Sequence, residues 1–295
     1  MCATQPARPS GASHELRLVG PGTGVDEVMT QAGRENFPVA SRLFPREVRP
    51  HLLAVYGFAR LVDDLGDEAP GDRLALLAAV SAELDAVFAG GTPSHELLRR
   101  LAVTVRRCAL PRDPFDRLVR ANVQDQTVGR YETYADLLAY CRLSAAPVGE
   151  LVLRVAGVCT PQRLELSDRI CAGLQLAEFW QDVGEDAAMG RVYLPAEDLR
   201  RFGYGEEDVL AGVYDERFVA LMEFEAERTR RLLESGRPLY RGLQVRLGLA
   251  IRMYAAGGFA ALADLRRRRY ATLAASAHPG TARVLLAGLR EVVRG

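Results

Sequence analysis

The stretch FARLVDDLGDE, Phe58–Glu68, places four acids among eleven residues of what otherwise reads as an apolar helix. A chain can carry acids on a helix at little cost by turning them to water. Here they alternate with Phe58, Leu61, Val62 and Leu65, so some of them must point inward. Asp63 and Asp67 share one helix face a single turn apart, and Arg60 lies one turn before Asp63 on the same side. Asp64 is rotated off that face, where solvation accounts for it.

A second stretch, FWQDVGEDAAMGRVYLP (Phe179–Pro195), repeats the pattern. Asp182 and Asp186 have the same spacing, Glu178 extends the stripe back one turn, and Arg191 follows Gly190 at the expected helix end. A single DxxxD is by default a solvated acidic face. Two of them, each in an apolar helix and each with an arginine close by, point to a site. Carboxylates one turn apart, at roughly 6 Å and an effective dielectric of about 20, repel by about 3 kcal/mol. Two such stripes facing one another need counter-charge. Mg²⁺ prefers one or two carboxylates together with water and phosphate oxygens. Asp63, Asp67, Asp182 and Asp186 are therefore the candidate metal ligands, with Arg60 and Arg191 on the remaining oxygens of a diphosphate.

The rest of the chain narrows the class. It has 295 residues, 48% of them hydrophobic, with balanced charge at 38 basic and 38 acidic side chains, which argues against a nucleic-acid partner. Every basic residue is arginine, so neither a P-loop lysine nor a lysine Schiff base is available. Five cysteines without a CxxC suit reduced thiols in a cytoplasm. Four scattered histidines with no ExxH spacing exclude a carboxylate-bridged di-iron bundle. Residues 1–24, rich in Pro, Gly and Ser without an apolar core segment, read as a disordered lead. The apolar run Met253–Ala263 is too short to span a bilayer, and a soluble, cytoplasmic protein is expected.

Apolar residues recur at three and four rather than two, which predicts one all-α domain over 25–295. The expected helices are Arg46–Glu68, Arg73–Ala89, Glu96–Arg107, Pro114–Gln124, Tyr134–Ala156, Pro161–Asp186, Glu216–Gly236, Leu243–Tyr270 and Thr281–Val293. Thr160 and Asp113, each before a proline, are the expected caps. Arg266–Arg269 reads as a solvated helix end that suits the helix dipole.

The segments AVYGFARLVDDLGDE, RYETYADLLAYCRLSAAPVGELVL and GLQLAEFWQDVGEDAAMGRVYLP together resemble the squalene/phytoene synthase family. Within it, ENFPVASRLFP, YCRLSAAPVG and FWQDVGED are similar to the hydroxysqualene synthases of hopanoid clusters. The resemblance implies a type I isoprenoid (terpenoid) synthase fold, a helical bundle around a central cavity. It implies Mg²⁺-dependent loss of diphosphate from presqualene diphosphate and water capture to hydroxysqualene, or else a sister reaction that condenses two prenyl diphosphates. Asp63, Asp67, Asp182 and Asp186 match the family's two acidic motifs, Arg60 and Arg191 its diphosphate-binding arginines, and Tyr140 and Tyr56 two tyrosines of the site. Gln181 stands where several relatives carry Arg; Gln at that position is a mark of the hydroxysqualene subfamily. Phe37, Tyr56, Phe179, Trp180 and Tyr254 are candidates to face a carbocation, although spacing alone favours core packing for Tyr56, Phe179 and Trp180. Glu178 replaces the usual Asn, and Ala146 stands in SAAPVG where SANPVG is expected. No NADPH is expected, because hydroxysqualene formation needs no hydride. The implied partners are an isoprenoid diphosphate, a membrane surface contacted transiently by a lipid product, and other squalene-pathway enzymes.

Overall fold

The three-and-four repeat of apolar residues folds as helix throughout the part of the chain that the computed structural model describes, residues 43–274. The first half contributes α1 (Arg49–Asp67), α2 (Arg73–Phe88), α3 (Glu96–Cys108), α4 (Asp113–Asp125), α5 (Tyr134–Ser144) and α6 (Ala146–Val155). The second contributes α7 (Pro161–Gln181), α8 (Val183–Ala188), α9 (Ala196–Arg201), α10 (Glu206–Leu210), α11 (Glu216–Ser235), α12 (Pro238–Arg241) and α13 (Val245–Arg267). No strand forms among the described residues; Arg130 and Val192 make an isolated parallel bridge. The lead over 1–24, the ENFPVAS segment with Phe37, Cys2 and the helix expected over Thr281–Val293 lie outside the described residues.

Two helices organise the packing. α1 rests on α2, α3, α4 and α6, while α7 runs between α5, α6, α11 and α13. Their inward faces supply Phe58, Leu61 and Leu65 from α1 and Ile170, Leu176 and Trp180 from α7, all buried. Trp180 is fully enclosed, and its indole N–H donates to the buried Thr229 hydroxyl of α11 at 2.8 Å, so it is a packing residue with its one polar atom satisfied. α13 is long and apolar enough to cross a bilayer, but most of its apolar window lies inside the bundle, as in a core helix.

Several boundaries differ from the sequence expectation. The span Tyr134–Ala156 divides at Ala145, because Pro147 has no amide proton and sits in the first turn of α6. The span Pro161–Asp186 divides at Asp182. Thr160 caps α7 by accepting from the Arg163 amide at 3.2 Å, but Asp113 is the first helical residue of α4, not its cap, and pairs with Arg117 at 2.8 Å. The arginine run ending α13 is partnered: Arg267 and Arg268 hold the buried Asp264, and Arg269 meets Glu216 at 3.1 Å.

One polar cluster ties α9 to α11. A single guanidinium, Arg228, reaches Asp198 at 2.7 Å and Glu225 at 2.7 Å, and lies 3.5 Å over the Tyr134 ring. Both carboxylates are buried, and one cation does not neutralise two. Burial pushes the Glu225 carboxyl up to about 8, against the pull of Arg228 and with Asp198 adding to it. The folded protein thus keeps a proton that the unfolded chain releases above 4.5, so this stabilisation is full below that pH and lost as pH rises through about 8. Urea unfolding midpoints should therefore fall between pH 5 and 8, and Glu225→Gln should flatten that slope; an unchanged slope in the variant would refute the assignment.

Candidate active site

α1 delivers the first acidic motif at its C-terminal end. Asp63 and Asp67 stand on the open side of the helix, whereas Asp64 is buried and held by Arg60 at 2.7 Å. This reverses the expected arrangement. Arg60 turns toward Asp64, four residues on, and toward Glu68 at 3.2 Å, so its direct contacts go to those two acids and Asp63 feels its charge only at a distance. Asp63 accepts a hydrogen bond at 3.0 Å from the amide of Asn122 on α4. Its tip is open to water, but protein rings it closely enough that lost hydration pushes the carboxyl up to about 7; Asn122 opposes this and Asp67 adds to it.

The second motif straddles a break. After Gln181 the amide of Gly184 turns away from the helix and donates to the Thr272 carbonyl at 3.1 Å. Thr272 belongs to the strap that follows α13, reached through two left-handed non-glycine residues, Arg269 (φ 52°) and Tyr270 (φ 61°), a conformation costing about 1 kcal/mol for each. The strap lies so close that a Cβ on Gly184 would come within 2.3 Å of the Leu273 carbonyl oxygen. Asp186 keeps its amide on the Asp182 carbonyl at 2.8 Å, and the chain then turns past Gly190 to Arg191. Burial pushes the Asp186 carboxyl up to about 7, with Asp182, Glu178 and Glu185 adding to it and Arg191 opposing.

Arg191 joins the two motifs. It donates to Asp67 at 2.8 Å while its charge also acts on Asp186 and Asp125. Asp125 closes α4 as Asp67 closes α1, and Asp182 caps α7, so three helices end here on an aspartate. Tyr140 donates to Asp125 at 2.6 Å, and burial beside that carboxylate drives the phenol far above its ordinary range, which makes it a donor and not a base. Asp125 itself is pushed up to about 6 by burial. Tyr140 also belongs to an aromatic panel. Phe179 stacks on Tyr193 at 3.8 Å, and Tyr131 and Tyr140 flank Tyr193 at 5.8 and 6.1 Å. The Arg130–Val192 bridge, with Arg130 donating to the Gly190 carbonyl at 2.7 Å, holds the two loops that carry Tyr131 and Tyr193 side by side.

Asp63, Asp67, Asp182, Asp186, Arg191, Tyr140 and Phe179 thus occupy one region, with Gln181 buried beside Asp182. Glu178 is exposed and accepts from Gln175 at 3.4 Å. Tyr56 stands half-buried near Arg60, Tyr254 is half-buried on α13, and Ala146 is buried at the start of α6. Asn122, Asp125, Tyr131 and Tyr193 were not legible as site residues: none repeats a spacing, and three sit at or beyond helix ends.

No three acids among the described residues close into a ready-made metal cage. The donors nevertheless fit Mg²⁺. They are all carboxylate oxygens, two are pushed up to about 7 by burial with neighbouring carboxylates adding to it, and one Asp125 oxygen is buried without a hydrogen-bond partner. An ion that takes one or two carboxylates and fills the rest of its shell with water and phosphate oxygen matches that set.

The family model described as squalene/phytoene synthase matches residues 30–287. The chain is 36% identical to a hydroxysqualene synthase from Rhodopseudomonas palustris over 222 residues, 74% of either chain. It is 32% identical to a 15-cis-phytoene synthase from Synechococcus elongatus over 243 residues, 78% of either chain. Among solved structures it superposes on squalene synthase HpnC from Alicyclobacillus acidocaldarius with a TM-score of 0.78 and 41% identity, covering 86% of this chain and 97% of that one. A dehydrosqualene synthase at 23% identity shares the fold with a TM-score of 0.80, covering 92% of this chain and 95% of that one.

Gly184→Ala should destabilise the protein by about 2 kcal/mol in urea unfolding, since a backbone carbonyl, and not a flexible side chain, must yield. Unfolding like wild type would show that the strap does not press on the break. Because Asp63 and Asp186 titrate near 7, Mn²⁺ affinity measured calorimetrically should fall as pH drops from 8 to 6; a flat profile would exclude those carboxylates as ligands.

Proposed function

Because this chain belongs to the squalene/phytoene synthase family, whose substrate class is the isoprenoid diphosphates, we propose that it converts presqualene diphosphate to hydroxysqualene. The observation that carries a diphosphate-ionising reading is the contact of Arg191 with Asp67, which joins two acidic segments and a third aspartate-ended helix into one site. Asp63, Asp67, Asp182 and Asp186 would hold Mg²⁺. Bound there, the metal would draw off the negative charge that gathers on the departing diphosphate.

The chain's own residues set the rest. Arg191 takes diphosphate oxygens as a fixed cation that is never deprotonated. Tyr140, anchored on Asp125, presents its ring with Tyr131, Phe179 and Tyr193 to the cation left when the carbon–oxygen bond breaks. The same panel keeps water from the cation until rearrangement is complete; one water then adds through its oxygen and gives up a proton to the released diphosphate, leaving the alcohol. No hydride enters, so no NADPH is required. Gln181 before the second motif and the 36% and 35% identities to hydroxysqualene synthases favour this product. The second reading, head-to-head condensation as in a phytoene synthase, has relatives of that name at similar identity in its support.

Purified protein with Mg²⁺ and no NADPH, given presqualene diphosphate or farnesyl diphosphate, decides between them by gas chromatography–mass spectrometry. Hydroxysqualene from presqualene diphosphate alone is the expected result, and Asp67→Ala should abolish it. Presqualene diphosphate or a longer hydrocarbon built from prenyl diphosphates would establish the condensing reading instead.

A further inference from the structure

We infer that Asn122 is a positioning residue for the first acidic motif: it fixes the Asp63 carboxylate for metal without cancelling its charge. The inference rests on the reading of Asp63 as a metal ligand given above. Asn122 lies on α4, far from Asp63 in sequence, and is buried. Its amide nitrogen donates to one Asp63 oxygen at 3.0 Å and to the Leu118 carbonyl at 3.3 Å. Two acceptors hold the amide in one plane, so the carboxylate it meets is held too.

The approach is made possible from the other side. Gly66 sits between Asp63 and Asp67, and a Cβ there would fall 2.3 Å from the Asn122 amide oxygen. Gln126, one turn on, donates to the Gly66 carbonyl at 3.0 Å and to the Asn122 carbonyl at 2.9 Å. α4 therefore grips α1 at the glycine of the motif, and Asn122 is the part of the grip that reaches a ligand.

The chemistry of the donor decides its role. Arg60 pairs with Asp64 and leaves that acid neutralised and buried. A neutral amide orients Asp63 through one oxygen, brings no positive charge of its own, and leaves the other oxygen for a cation. Glycine at 66 and a neutral donor at 122 are two halves of the same arrangement.

The test uses full-length protein with Mn²⁺ titrated in the presence of inorganic diphosphate. Asn122→Leu keeps the volume and removes the donor. Its Mn²⁺ dissociation constant should rise by roughly 10- to 100-fold, kcat should fall with little change in KM, and the melting temperature should stay near wild type. Should Asn122→Leu fail to fold, Asn122→Ser, too short to reach Asp63, must show the same loss of Mn²⁺ binding. Wild-type Mn²⁺ affinity in a folded variant overturns the inference and leaves the proposed function standing. Wild-type protein that takes up Mn²⁺ but releases no diphosphate from either substrate removes the proposed function and leaves the inference. Wild-type protein that takes up no Mn²⁺ overturns both.

Discussion

Three helices finish on an aspartate in one corner of the fold, and each brings the partial negative charge of its C-terminus with it. A carboxylate at that end of a helix is disfavoured by about 0.5 kcal/mol before any neighbour is counted. Here the neighbours are further carboxylates. The chain gives the cluster Arg191 and leaves Asp63, Asp125 and Asp186 pushed upward. Everything else in the region serves this imbalance. The loops on either side are bridged so that Arg191 faces Asp67, and the aromatic panel stands beside the charged end without adding charge of its own.

The acids divide by the kind of partner they receive. Asp64, Asp198 and Asp264 are buried against arginines and hold helices together. Asp63 and Asp125 accept their hydrogen bonds from an amide and a phenol, neutral donors that bring no positive charge. Two neighbouring aspartates in the sequence, 63 and 64, thus do opposite work. Which is which follows from the side of α1 that faces the core and from what α4 presents to the other side.

Local sequence carried much of this fold. The helical repeat marks α1, α2, α3, α4, α11 and α13 to within a few residues, and the two DxxxD spacings mark the acid-bearing ends of α1 and α7. Pro147 was a legible signal for the division at Ala145, since proline opens a helix more readily than it continues one. The division at Asp182 had no such signal: the Thr272 carbonyl, 88 positions further on, takes the Gly184 amide that would have continued α7. Asp64 and Arg60 were misread because helical geometry alone does not say which flank of an acidic stripe is covered. Asn122, Tyr131 and Tyr193 depend on contacts between distant segments. Residues that act through a partner on another element leave no periodic trace.

The strap that touches Gly184 has a bearing on the order of events in synthesis. Thr272 leaves the ribosome long after the second acidic segment, so a nascent chain carries Asp182 and Asp186 without the carbonyl that bends the helix between them. α1 and α4, which hold Asp63 between them, precede the break in the sequence, and so do α5 and α6, whose faces α7 covers. The bend between Asp182 and Asp186 therefore waits for the strap, whereas the clasp of Asn122 on Asp63 draws only on segments made earlier.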